Sequence, residues 1–97
     1  MPIYVTLANL TKQGITDMKA APQRIKETIK GAEAAGVKIL GFYVTMGEYD
    51  YVWIAEAPSE AVAMSTLISV GMAGNVKTKT LRAFTAEELA GFVANLP

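Results

Sequence analysis

No cysteine and no histidine occur among the 97 residues. Without cysteine there is no disulfide framework, no thiolate nucleophile and no zinc–thiolate site, which fits a reducing compartment. Without histidine the commonest general base, zinc ligand and haem ligand are missing, and serine–histidine or cysteine–histidine machinery cannot be built. Neither sign of charge is in excess. Nine basic and nine acidic residues cancel, no stretch collects one sign, and there is no electrostatic footprint for a phosphate backbone or an anionic membrane. The longest uncharged run, Ala61 to Val76, is too short and too rich in Ser, Thr and Gly to span a bilayer. The start, Met1-Pro2-Ile3-Tyr4-Val5, has neither a basic region nor a cleavable apolar segment and reads as a mature N-terminus. These exclusions predict a soluble, cytoplasmic protein that binds no nucleic acid or membrane and carries no metal, haem or other cofactor.

What the chain has in excess is apolar surface. Hydrophobic residues make up 52% of it and its mean hydropathy is positive, whereas small soluble domains usually fall lower. A chain of this length is one domain, spanning 1–97, near the lower end of what makes a sound core alone. The excess points to an apolar face reserved for a partner.

Pro2 to Leu10 alternates Ile3, Val5 and Leu7 against Tyr4, Thr6 and Ala8 and predicts a first strand. Asn9 to Met18, with Gly14, reads as a loop. Pro22 suits the first turn of a helix that carries Ile25, Ile29 and Ala32 on one stripe and is closed by Gly36. Val37 to Met46 and Tyr51 to Ala57 form a hairpin around Gly47, apolar or aromatic at nearly every position, which predicts strands buried on both faces. Ser59 caps a helix from Glu60 to Ala73 that has no charge after Glu60 and should be covered on more than one side. Val76 to Phe84 resumes alternation, and Thr85-Ala86-Glu87-Glu88 is a capping box that opens a last helix with Leu89, Phe92 and Val93.

This order is the split βαβ pattern of ferredoxin-like α+β domains: βαββαβ with a C-terminal helix, four antiparallel strands and both main helices on one face. Counting by twos puts Ile3, Val5, Leu7, Val52 and Ile54 on the helix side. Tyr4, Thr6, Tyr43, Tyr51, Trp53, Thr78, Thr80 and Arg82 then fall on the uncovered side, and a bulge in any strand would exchange these sets locally. A second copy of the chain is the expected cover, with a small polar-apolar cavity enclosed between two sheets.

Ala21-Pro22-Gln23-Arg24, Gly47-Glu48-Tyr49-Asp50, Glu56-Ala57-Pro58 and Gly74-Asn75-Val76 before Thr80-Leu81-Arg82-Ala83-Phe84 occur in an order and at a spacing that resembles the GYD-domain family. That family is named for the glycine, tyrosine and aspartate that stand here as Gly47, Tyr49 and Asp50. The resemblance covers nearly the whole chain and implies a dimeric α/β barrel built from ferredoxin-like subunits. The family's biochemical role is largely unassigned. Related barrels include cofactor-free monooxygenases, haem-binding and haem-degrading proteins, muconolactone isomerases and ligand-sensing domains of transcriptional regulators. None of their catalytic motifs maps onto this sequence, and the missing histidine counts against the haem branches.

Asp50 is the most attractive ionisable group, because a desolvated carboxylate beside Tyr49 and Tyr51 is a candidate base. The simpler account is preferred: Gly47 permits the turn, and Asp50 binds nearby backbone amides. Arg82 is a candidate for holding a carboxylate or phosphate, although an ion pair with Asp50, Glu48 or Glu56, or a place along a dimer seam, is preferred. Tyr4, Tyr43, Tyr51 and Trp53 are candidates to shape a pocket, with Thr6, Thr80 and Arg82 supplying polarity, although aromatics on sheets more often serve packing. Lys77 and Lys79 discourage pairing of an edge strand, and the methionines are adaptable filler.

Three readings follow. The first is a homodimer that binds a small organic molecule, partly aromatic and bearing an oxygen or carboxylate. The second is a cofactor-independent oxygenase or isomerase in the same cavity, with Asp50 as base and Arg82 holding the developing anion. The third is a non-catalytic assembly or interaction module, in which higher oligomers are open because the Glu60–Ala73 helix is apolar on several sides.

Overall fold

Alternation in Ile3–Leu10 builds the strand β1, which becomes central in the sheet. The computed structural model describes every residue, Met1–Pro97. After β1 come α1 (Lys12–Thr16), a 3-10 turn (Met18–Ala20), α2 (Ala21–Ala34), β2 (Lys38–Val44), β3 (Tyr51–Glu56), α3 (Glu60–Met72), β4 (Val76–Ala83) and α4 (Ala86–Ala94). The strands pair antiparallel in the order β2-β3-β1-β4, the ferredoxin-like arrangement that the element order predicts.

Helix ends form where the sequence marks them. The α2 helix closes through Gly36, whose N–H donates to Glu33 at 3.0 Å while Val37 N–H donates to Ala32 at 2.9 Å. These are the two bonds of a Schellman motif, and Gly36 adopts the positive φ of 90° that it needs. Ser59 caps α3 by accepting from Val62 N–H at 3.2 Å. In α4 both halves of the capping box are made, each at 3.0 Å between Thr85 and Glu88.

Four expectations need correcting. The segment read as a loop holds α1, whose cap is Thr11 Oγ1 accepting from Gly14 N–H at 3.1 Å. Five residues are too few for helical periodicity to register.

The two faces of the sheet are also exchanged. Tyr4, Thr6, Tyr51, Trp53 and Ala55 look toward α2 and α3, and the small core of Ala32, Val37, Ala55, Ala57 and Ala63 packs against Tyr4, Ile39, Trp53 and Val62. Register places Thr78, Thr80 and Arg82 on this same side, opposite Ala8, Thr6 and Tyr4. Ile3, Val5, Leu7, Val52 and Ile54 form the face without helices. Strand parity separates two sets of residues, but both carry large apolar or aromatic side chains, so parity does not say which one the helices cover.

Third, Tyr43 does lie on the uncovered side, as expected, but parted from Tyr4, Thr6, Tyr51 and Trp53, with which it was grouped. The β2–β3 register steps from Ile39↔Ala55 to Gly41↔Ile54, so Leu40 is an extra residue in a bulge. That step turns Phe42 to the helix side beside Trp53 and sends Tyr43 to the bare face opposite Val52. There the Tyr43 ring occupies the space beside Gly41, where any Cβ would lie 2.9 Å from it.

Last, α3 is covered on one side only. Ala63 is its buried residue, while Met64, Ile68 and Met72 remain exposed. No helix of the chain is long and apolar enough to cross a membrane.

Candidate binding cleft and bare sheet face

Because the helix residues nearest the sheet are small, Ala32 and Ala63 among them, α2 and α3 close against its end and leave a cleft of about 670 Å³ over the rest. Its floor is Tyr4, Thr6, Phe42, Tyr51 and Trp53; Ile25 and Ile29 of α2 form one wall and Leu67 and Val70 of α3 the other. The floor is aromatic and ordered by contact. Phe42 stacks on Trp53 with ring centroids 5.6 Å apart and an interplanar angle of 8°, and meets Tyr51 at 5.3 Å with a tilt of 49°.

Polar groups on this floor are few. Thr6 is 1% exposed and its Oγ1 lies 3.0 Å from Thr80 Oγ1, so the two hydroxyls satisfy each other across β1 and β4. Tyr4 Oη is sealed from solvent with no hydrogen-bond partner. Arg24 reaches the cleft's rim, but its guanidinium donates to the carbonyls of Asp17 at 2.7 Å and Gly14 at 3.1 Å and lies 3.9 Å from the Asp17 carboxylate. Glu27, also at the rim, accepts from Gln23 Nε2 at 3.2 Å. No group of three or more acidic side chains stands close enough to hold a metal ion.

Of the pocket residues expected from sequence, Tyr4, Thr6, Tyr51 and Trp53 line this one cleft, within a single chain and not between two sheets. Thr80 supports it through Thr6. Arg82 shares the face but does not line the cleft. Its guanidinium sits 4.4 Å above the Phe84 ring and 5.7 Å from the Tyr4 ring, and its Nη1 donates to the Ala83 carbonyl. It makes no ion pair with Asp50, Glu48 or Glu56; its Nη1 donates instead to the backbone carbonyls of Ile3 in β1 and Ala83 in β4. Asp50 lies at the hairpin end outside the cleft, with Oδ2 accepting Leu10 N–H at 2.8 Å. Phe42 and the walls were missed by sequence reasoning. The stripe of Ile25 and Ile29 was a signal for one wall, but the bulge that aims Phe42 leaves none.

The bare face has its own pattern. Val5 stands in register with Ile54 and Leu81 and Leu7 with Val52, Ile3 follows on β1 opposite Ala83, and Tyr43 extends the apolar centre onto β2. Lys38 and Glu56 at one end and Lys77 and Lys79 on the β4 edge surround it with charge. Helices α2 and α3 lie on the other side, and every residue of α4 is exposed. An apolar centre with a charged rim is the anatomy of a protein interface.

A curated protein of Thermus thermophilus, the "Glutamine synthetase and cystathionine beta-lyase binding protein", is 33% identical over 90 residues, spanning 92% of this chain and 95% of its own. The crystal structure of a candidate glycine cleavage system transcriptional repressor superposes with a TM-score of 0.54 over 87% of this chain at 17% identity. This chain spans only 46% of that one, so the likeness is one of fold. The GYD domain model matches residues 4–93, and with it the ordered landmarks from Ala21-Pro22 to Phe84 find their place: the chain belongs to the GYD-domain family.

Proposed function

We propose that this chain is a non-catalytic binding module that pairs with a second copy through its bare sheet face and docks on metabolic enzymes, with a small organic molecule held in the cleft. The observation that carries this reading is the apolar centre of Ile3, Val5, Leu7, Val52, Ile54 and Leu81 that no element of the chain covers. Burying such side chains is worth roughly 1.5–3 kcal/mol each when complete, which makes a twofold partner the natural cover.

The outer side of α3 supplies a second surface. Met64, Ile68 and Met72 recur at every fourth residue and are 56%, 55% and 82% exposed. A flexible, methionine-rich stripe suits docking on another protein. Glutamine synthetase and cystathionine β-lyase are the first partners to test, because the Thermus relative is named for binding them. A cytoplasmic setting agrees with such partners and with the absence of cysteine. The balanced charge argues against nucleic acid as a partner.

Catalysis gains no support from the geometry. Asp50 is committed to a backbone amide away from the cleft, and Arg82 points its charge at carbonyls and a ring.

Sedimentation velocity tests the self-association, with wild type expected as a dimer and Val5→Lys with Ile54→Glu as a monomer. A monomeric wild type at high micromolar concentration overturns it. Calorimetric titration against purified glutamine synthetase and cystathionine β-lyase tests the docking, which Ile68→Glu should abolish while the dimer persists.

A further inference from the structure

We infer that the cleft between the sheet and helices α2 and α3 takes a flat, uncharged aromatic molecule carrying one acceptor oxygen, anchored by the Tyr51 hydroxyl. This inference rests on the reading that the cleft holds a small organic molecule, and it names the class.

Size is the first argument. A space of about 670 Å³ is within the range of small-molecule sites and far beyond the voids that packed interiors tolerate. Apolar walls, with Ile25, Ile29, Leu67 and Val70 among them, favour an apolar occupant over water.

Shape is the second. The Phe42 and Trp53 rings stack on one another, 8° from parallel with centroids 5.6 Å apart, and a flat aromatic ring can extend that stack or meet its edges.

Polarity is the third. Tyr51 is 95% buried, being 5% exposed, and lines the cleft. Its Oη makes no hydrogen bond within the protein and, unlike that of Tyr4, can be reached by solvent. A hydroxyl so placed is a donor that a ligand's acceptor can take over from water. The neighbouring Thr6 and Thr80 hydroxyls are already spent on each other.

Charge is excluded by the same accounting. Arg24 is held by two carbonyls, Glu27 by Gln23, and Arg82 lies outside the lining. A carboxylate entering the cleft would be buried without a counter-ion, which costs far more than a hydroxyl's burial. The ligand is therefore neutral.

Three probes with one ring system separate these arguments: naphthalene, 2-naphthol and 2-naphthoate. Trp53 is the chain's single tryptophan, so its indole N–H gives one resonance that reports directly on the floor. Titration followed by that resonance and by calorimetry should show binding in the order 2-naphthol, naphthalene, 2-naphthoate. Tyr51→Phe should weaken 2-naphthol about fivefold, the worth of one net hydrogen bond, and leave naphthalene unchanged. Leu67→Phe with Val70→Phe, which fills the cleft from the α3 wall without adding a second indole, should abolish binding of all three, with thermal melting confirming that both variants fold. If no probe moves the indole resonance, the cleft is not a ligand site and the underlying reading fails with the inference. If the probes bind but 2-naphthoate is tightest, or Tyr51→Phe leaves the 2-naphthol to naphthalene ratio unchanged, the cleft stands and only the proposed class is overturned.

Discussion

Asp50 Oδ2 accepts the backbone N–H of Leu10 at 2.8 Å, and this bond helps to fasten the β2–β3 turn to the end of β1. Around it Asp50 N–H donates to Ala8 at 2.9 Å, Thr45 N–H to Asp50 at 2.8 Å, and Asn9 Nδ2 to Glu48 at 2.6 Å. The aspartate of the family's glycine-tyrosine-aspartate motif thus closes a hydrogen-bonded corner. A charged acceptor of this kind contributes about 1.5–3 kcal/mol. Asp50→Ala should destabilise the fold by about 2 kcal/mol in urea denaturation, and Asp50→Asn, which keeps an acceptor oxygen, by about half as much. Unchanged urea midpoints in both variants would remove the corner from the account of stability.

Thr6 and Thr80 make a buried hydroxyl pair at 3.0 Å between β1 and β4. Thr6→Val leaves Thr80 Oγ1 without its partner and should cost about 1–2 kcal/mol, whereas Thr6→Val with Thr80→Val removes both needs at once and should cost less than the two single changes summed. A double-mutant cycle in denaturant measures that coupling directly.

Tyr4 offers the opposite sign. Its sealed hydroxyl has no partner, so the free protein carries a desolvation cost with no return. Tyr4→Phe keeps the ring over the core and should raise stability by about 1 kcal/mol, read as an upward shift of the melting temperature.

The element order was legible because the periods are clean: two in β1 and β4, capping residues before α3 and α4, and Gly36 after α2. Long-range facts were not. Asp50 and Leu10 are forty residues apart in sequence, and although Asp50 was assigned a backbone amide as partner, nothing local names which. The sheet's two faces both carry large apolar or aromatic side chains, and helix position alone decides between them. Leu40 differs in no visible way from an in-register strand residue, yet its bulge sends Phe42 to the cleft and Tyr43 away from it. The cleft itself depends on how far α2 and α3 stand from Trp53 and Tyr51, a distance set by small residues such as Ala32 and Ala63 meeting large ones.

Gly14 is explained by close approach. Thr11 Oγ1 donates to the Gly74 carbonyl at 2.6 Å and Thr11 N–H to the Asn75 carbonyl at 3.0 Å, which draws α1 against the α3–β4 turn. A Cβ at Gly14 would lie 2.1 Å from the Asn75 carbonyl oxygen, and that oxygen belongs to the backbone and cannot swing aside. Gly14→Ala should therefore cost about 2 kcal/mol or more despite alanine's better helix propensity. Gly31→Ala, with nothing within 4 Å of its Cβ position in α2, is the matched control and should be neutral or stabilising.

Glu88 makes α4 sensitive to acid. Its carboxylate accepts Thr85 N–H at 3.0 Å, and that bond, with Arg82 adding a smaller attraction, holds its pKa below the ordinary glutamate value. A depressed folded-state pKa means the cap is fully in place above the pKa of the unfolded chain and is lost as pH falls through the lower, folded value. The Thr85 and Phe92 amide resonances should therefore be unchanged from neutral pH down to the ordinary glutamate range and move together below it, as α4 frays. In Glu88→Gln the amide oxygen still accepts from Thr85 but no longer titrates. The variant should keep α4 at neutral pH and lose the acid transition, while Glu88→Ala should loosen α4 at every pH. An acid transition that survives in Glu88→Gln would place the titrating group elsewhere.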